Sequence, residues 1–99
     1  MPHRIAPIAE SDLDEIWIYT AKESGSIEIA NRLTDTIAER FHAIGRFPRI
    51  GRSRELEFGP GHRSLAVGEY VIVYYFEGDD ALILRVVHGR RDLEMLFGN

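Results

Sequence analysis

The chain has no cysteine among its 99 residues, so it holds neither a disulfide framework nor a thiolate metal site, and nothing in it calls for an oxidising compartment. Lysine is almost missing as well. Lys22 stands alone, and every other basic residue is arginine, whose planar guanidinium grips carboxylate or phosphate with two parallel bonds. No apolar run approaches the roughly 18 uninterrupted residues that a membrane span needs. The opening Met-Pro-His-Arg-Ile-Ala-Pro also lacks the apolar core of an export signal, so the expectation is a cytoplasmic protein without membrane contact. There is no Gly-rich phosphate loop, no nucleophile elbow and no Cys/His pair. The four histidines, His3, His42, His62 and His88, fall on different expected elements without ligand spacing, so no metal and no other cofactor is expected.

Positive charge is in short supply overall, with 12 basic against 16 acidic side chains and a net charge of -4. Nonspecific nucleic-acid binding draws most of its free energy from cations on phosphates, so a chain-wide nucleic-acid surface is disfavoured. The distribution is uneven, however. Residues 46–63 hold Arg46, Arg49, Arg52, Arg54 and Arg63 against Glu55 and Glu57, a local balance of +3 that leaves -7 on the rest.

A length of 99 residues suits one domain, 1–99, with a real but small core. Residues 3–8 read as a brief strand with Pro7 near its end. Ser11 and Asp14 have capping-box spacing, and Leu13, Ile16, Trp17 and Ala21 follow at helical intervals, which predicts a helix of about three turns ending at Ser24-Gly25. Ser26 caps a second helix whose apolar stripe is Ala30, Leu33, Ile37, Phe41 and Ile44, stopped by Gly45 and Pro48. The short link folds the two helices into an antiparallel pair. Residues 46–62 read as a long connection, with Glu55 to Phe58 a candidate short strand, and loops of this length in small domains are often functional.

Then come two strongly apolar runs, Tyr70 to Phe76 and Ala81 to His88, joined by Glu77-Gly-Asp-Asp and preceded by a short strand at Ser64 to Val67. A short helical tail, Asp92 to Phe97, follows. The simplest packing lays the helix pair on one face of this antiparallel meander, an α+β architecture. Strict alternation in the last run places Leu82, Leu84, Val86 and His88 on one face and Ala81, Ile83, Arg85 and Val87 on the other. If the first set meets the helices, Arg85 points to the open face, where it needs solvent or an ion-pair partner. His88 is either a general acid or base or a structural hydrogen-bonder at a strand end.

Four stretches, in order, carry a resemblance that spans nearly the whole chain. They are Ala9 to Trp17, Phe47-Pro-Arg-Ile-Gly51, Arg63-Ser64 with Tyr70 and Tyr74, and Arg85-Val-Val-His-Gly-Arg-Arg-Asp92. The chain resembles the ParE branch of the RelE/ParE superfamily, the toxins of bacterial type II toxin-antitoxin modules, some of which serve plasmid stabilisation. The family fold agrees with the architecture reached above.

The resemblance implies two possible activities. RelE-type members look like ribosome-dependent messenger-RNA endoribonucleases, whereas ParE-type members resemble inhibitors of DNA gyrase that act by binding. Val71 stands where the RelE pattern has a catalytic arginine and Phe97 near its catalytic tyrosine, while Arg91 keeps a RelE-like character. The resemblance therefore implies a gyrase inhibitor with Arg63, Arg85, Arg90 and Arg91 as target contacts. A ribonuclease using His88, Arg91 and Glu55 (or Glu57) is the alternative, and a nontoxic interaction module a third. The implied partner is a ParD-like antitoxin, expected to meet Ile18, Tyr19, Met95, Leu96 and Phe97, with operator DNA reached only through it.

Overall fold

The computed structural model describes residues 3–89 and 91–96. Strand β1 (His3–Ile5) leads into helix α1 (Pro7–Ser24), which a two-residue link joins to α2 (Ile27–Arg46). A connecting segment then holds the two-residue strand β2 (Arg52–Ser53) and the single turn α3 (Glu55–Phe58). Strands β3 (His62–Val67), β4 (Tyr70–Glu77) and β5 (Asp80–His88) form the meander, and α4 (Leu93–Leu96) follows. The sheet is mixed, in the order β1-β5-β4-β3-β2: the meander is antiparallel, and β1 lies parallel to β5 at its edge.

Helix α1 starts five residues earlier than the capping-box reading places it, with Ala6 rather than Ser11 as its N-cap. Pro7 occupies the first turn, where its missing N–H is no loss and its fixed φ suits the helix, and the residue before it, Ala6, is extended. Ser11 lies inside the helix, which runs 18 residues, about five turns. Proline thus shortens the first strand and lengthens the helix. The other end falls where expected: Gly25 adopts φ 68° and returns its N–H to the Ala21 carbonyl at 2.9 Å. One residue on, the Ser26 hydroxyl accepts the Ile29 N–H at 3.2 Å and starts α2.

The α2 stripe does what its spacing predicts. Ala30, Ile37, Phe41 and Ile44 are buried and Leu33 is partly so, against Ile72, Tyr74, Ile83 and Val86 of the sheet. Each buried isoleucine or phenylalanine of the stripe contributes about 1.5–3 kcal/mol through its removal from water. Trp17 of α1 donates to the Asn31 side chain at 2.7 Å and ties the helix pair together.

Two expectations fail here. Glu55 to Phe58 forms a helical turn rather than a strand, with the Phe58 N–H on the Arg54 carbonyl at 2.8 Å, and the residues that pair with β3 are Arg52 and Ser53. The alternation in β5 also breaks. Val73 faces Arg85 and Tyr74 faces Ile83, so Leu84 is an extra residue, a β-bulge. Ala81 and Ile83 therefore face the helices, and so does Val86 beyond the bulge. Arg85 turns towards α1 instead of an open face.

Candidate functional site

At the bulge, α1 and β5 exchange their charges. Asp12 is 7 % exposed and sits on the buried side of α1, between Ala9 and Ile16. Its Oδ2 accepts from Arg85 Nε at 2.8 Å and from the Val86 N–H at 2.9 Å, and its Oδ1 accepts from Arg85 Nη2 at 3.1 Å. Among the described residues no strand borders β5 on the β1 side beyond Ile83, so the Asp12 carboxylate satisfies a backbone donor that a longer β1 would have taken. Hydrogen bonding to Asp12 raises the Arg85 pKa further above its ordinary value, against a smaller opposing effect of burial.

This pair floors a groove of about 510 Å³. Glu15, Ile16 and Tyr19 of α1 form one wall, Tyr70 and residues 85–88 the base, and Arg91, Asp92, Met95 and Leu96 the other wall. Tyr19 and Met95 are 51 % and 71 % exposed. Burial, then the neighbouring Glu69 carboxylate, push the Tyr70 phenol above its ordinary pKa and keep it protonated.

His88 fastens the tail wall. The Arg91 N–H donates to Nδ1 at 3.3 Å, and Nε2 lies 3.2 Å from Glu69 Oε1. An acceptor role for Nδ1 assigns the proton of the neutral ring to Nε2, which donates to Glu69. The Asp92 N–H adds a bond to the His88 carbonyl at 2.9 Å, and the ring stands edge-on to Tyr70 at 5.6 Å.

The structure gathers some of the residues singled out from sequence and separates others. Tyr19, Arg85, His88, Arg91, Met95 and Leu96 share the groove. Ile18 is exposed on α1 and does not line it. Arg90 and Phe97 lie outside the described residues. Arg63 lies at the far end of β3, donating through Nη1 to the Gly51 carbonyl at 2.5 Å and the Arg49 carbonyl at 3.2 Å. Glu55 is also at that end, with Oε2 on the Gly61 N–H at 2.9 Å. Since β3 runs six residues between that end and the Gly68-Glu69 turn beside His88, about 20 Å of strand separates Glu55 from His88. They form no acid–base pair. Glu57 is engaged with Arg54 at 3.5 Å.

Asp12 escaped the sequence reading, although a signal was present. It lies three residues after Ala9 and four before Ile16, so helical phase puts a carboxylate on the apolar face, and Arg85 is the lone charge in the apolar strand opposite. Among the described residues no three His, Cys, Asp or Glu side chains gather to hold a metal ion, and no helix is long and apolar enough to cross a membrane.

A helix pair on one face of a meander, with an open groove at one corner, defines a small two-layer α+β domain. Residues 4–93 match the family model described as the ParE toxin of the type II toxin-antitoxin system parDE, and the chain belongs to that family. It is 32 % identical over 95 residues to Toxin ParE3 of Caulobacter vibrioides, covering 96 % of this chain and 92 % of the relative. Toxin ParE1 of the same organism is 32 % identical over 87 residues, 88 % of each chain. A solved structure described as a chromosomal ParDE TA system from P. aeruginosa shares the fold, with TM-score 0.75 and 23 % identity over 89 % of this chain and 95 % of that one.

Proposed function

We propose that this ParE toxin is neutralised by a cognate antitoxin seated in the groove beside Asp12 and Arg85, and that the released toxin inhibits DNA gyrase by binding. The observation that carries this reading is the groove itself: about 510 Å³, open, walled by exposed Tyr19 and Met95 and edged by exposed Arg91. An amphipathic segment of a partner fits such a site, with apolar anchors against Ile16, Tyr19 and Leu96 and an acid for Arg91. The name of the P. aeruginosa system pairs a ParE with a ParD, which supports a partner of that kind here.

Action by binding fits the chemistry of the groove. Both ring nitrogens of His88 are occupied by internal bonds, and the nearest candidate base, Glu69, is the partner that holds it. Val71 offers no guanidinium.

The test compares gyrase supercoiling of plasmid DNA with messenger cleavage on translating ribosomes, using purified toxin freed of antitoxin. Lost supercoiling with intact messenger is expected. Messenger cleavage with normal supercoiling overturns the reading and points to His88 and Arg91 as catalysts.

A further inference from the structure

The segment between α2 and β2 is held from below by Tyr74 and Arg63. Tyr74 is wholly buried, and its hydroxyl donates to the Pro48 carbonyl at 2.6 Å and accepts the Gly51 N–H at 2.9 Å. Arg63 reaches up from β3 to the carbonyls of Arg49 and Gly51. The Ile50 N–H closes a turn on the Phe47 carbonyl at 2.9 Å, with Pro48 at its second position. At Gly51 a Cβ would stand 2.7 Å from the Ser64 carbonyl oxygen and 2.7 Å from the Tyr74 hydroxyl, so only glycine lets the chain pass. Five hydrogen bonds and a close approach thus fix the backbone of residues 47–51.

The side chains on this rigid backbone face outward. Phe47 is 60 % exposed and Ile50 46 %. Arg46 lies over the Phe47 ring at 5.6 Å, and Arg49 lies over the Phe76 ring at 5.3 Å, with Arg63 on the same ring at 5.7 Å. Stacking holds the Arg46 and Arg49 guanidinium groups in place while leaving their N–H edges facing outward. Neither Arg46 nor Arg49 takes part in an ion pair among the described residues. The acids of the neighbouring turn are already engaged, Glu55 with the Gly61 N–H and Glu57 with Arg54. The result is a fixed knob of two apolar and two cationic side chains on a chain whose net charge is -4. Its place is the Phe76 end of β4, whereas the groove lies at the Tyr70 end, six residues or about 20 Å away.

Rigid backbone lowers the entropic cost of association, and arginine with an aromatic is the composition of interface anchors. A phosphate backbone would leave Phe47 and Ile50 without apolar partners, and the acidic chain as a whole repels it. We infer that the knob formed by Arg46, Phe47, Arg49 and Ile50 is a protein-docking surface, and that its occupant is a protein face with carboxylates around an apolar pocket. The inference rests on the reading of this chain as a toxin that acts by binding, and it assigns the target contact to an end of the molecule that an antitoxin in the groove leaves uncovered.

The experiment uses the purified full chain carrying Arg46→Glu with Arg49→Glu, and separately Ile50→Asp. Arg32→Glu, an exposed position on α2 away from the knob, controls for a change of net charge. Melting temperature and antitoxin affinity are read first, then growth arrest on induction without antitoxin, then the concentration that inhibits supercoiling by the gyrase holoenzyme. Both knob variants are expected to melt and bind antitoxin as the wild type does, while the dose for arrest and for inhibition rises at least about tenfold, the loss of one strong interface anchor. Should the doubly charged variant melt early, Arg46→Ser with Ile50→Ser carries the same expectation and spares the stacking of Arg49 on Phe76. Full toxicity in the knob variants overturns the inference, as does an equal loss in Arg32→Glu. Wild-type binding to a short DNA duplex that the knob variants lack makes the surface a nucleic-acid site and overturns the protein occupant. If wild-type toxin leaves supercoiling untouched, the gyrase reading fails by itself, and growth arrest still decides the knob.

Discussion

Replacing Asp12 by alanine removes three hydrogen bonds at once and leaves three donor groups, on two residues, facing a gap. The buried Val86 N–H loses its carboxylate partner, which costs about 1–3 kcal/mol for an unsatisfied donor. Arg85 loses both bonds of its carboxylate partner; breaking a fully buried pair costs about 3–5 kcal/mol, and the 31 % exposure of the Arg85 side chain lets water recover part of that. A combined loss of about 3–4 kcal/mol follows, a large share of the roughly 5–15 kcal/mol that stabilises domains of this size. At about 4–8 °C per kcal/mol for such a length, the melting temperature falls by about 12–30 °C. Asp12→Asn keeps an oxygen for the Val86 N–H and costs about half as much. Equilibrium denaturation of the antitoxin-free toxin, followed by circular dichroism, measures both. An Asp12→Ala variant within about 0.5 kcal/mol of wild type, the scatter of ordinary surface substitutions, refutes the role given to this carboxylate.

Other perturbations have equally definite outcomes. Tyr74→Phe keeps the core filled but orphans the Gly51 N–H, costing about 1–3 kcal/mol, and hydrogen exchange at Gly51 accelerates; unchanged protection there contradicts the bond. Burial, with His42 beside it at 5.1 Å, lowers the His3 pKa below its usual 6.5. A depressed histidine contributes stability that is complete above pH 6.5 and is lost as the pH falls towards its folded value, so wild type weakens more between pH 7.5 and 5.5 than His3→Phe; equal pH slopes remove His3 from the account. Leu96→Asp lowers affinity for the antitoxin by at least about tenfold without changing the melting point, while Ile18→Asp, outside the groove, changes it little. Equal losses from the two, read by isothermal calorimetry, place the antitoxin elsewhere.

What could be read from the chain alone was whatever its short-range pattern decides. The Ser26 cap, the α2 stripe, the Gly25 stop and the β4–β5 hairpin each depend on residues within a turn or two of one another, and all appear as spacing predicts. The start of α1 was misread because two local signals compete near it, Pro7 and the Ser11–Asp14 spacing, and proline prevails through a fixed dihedral rather than a removable hydrogen bond. The face of Arg85 depends on the extra residue Leu84, which no period-two count contains. Its partner Asp12 lies 73 residues away. Tyr19, Met95 and Leu96 were legible as apolar residues off the core stripes, but the groove that unites them exists only once α1 crosses β5.

The parallel pairing of β1 with β5 has a consequence for synthesis. Residues 3–5 pair in the sheet with 81–83, and the Asp12 carboxylate bonds to 85 and 86, so the first strand and the buried carboxylate wait for the last strand to leave the ribosome. The helix hairpin can form early, yet its apolar stripe has no sheet to cover it until the meander is complete. A chain that stops anywhere before Asp80, on a broken messenger or a stalled ribosome, lacks β5, the strand that joins β1 to the meander and forms the base of the groove. Interrupted fragments are therefore expected neither to complete the sheet nor to form the groove, so that only the finished chain carries the site.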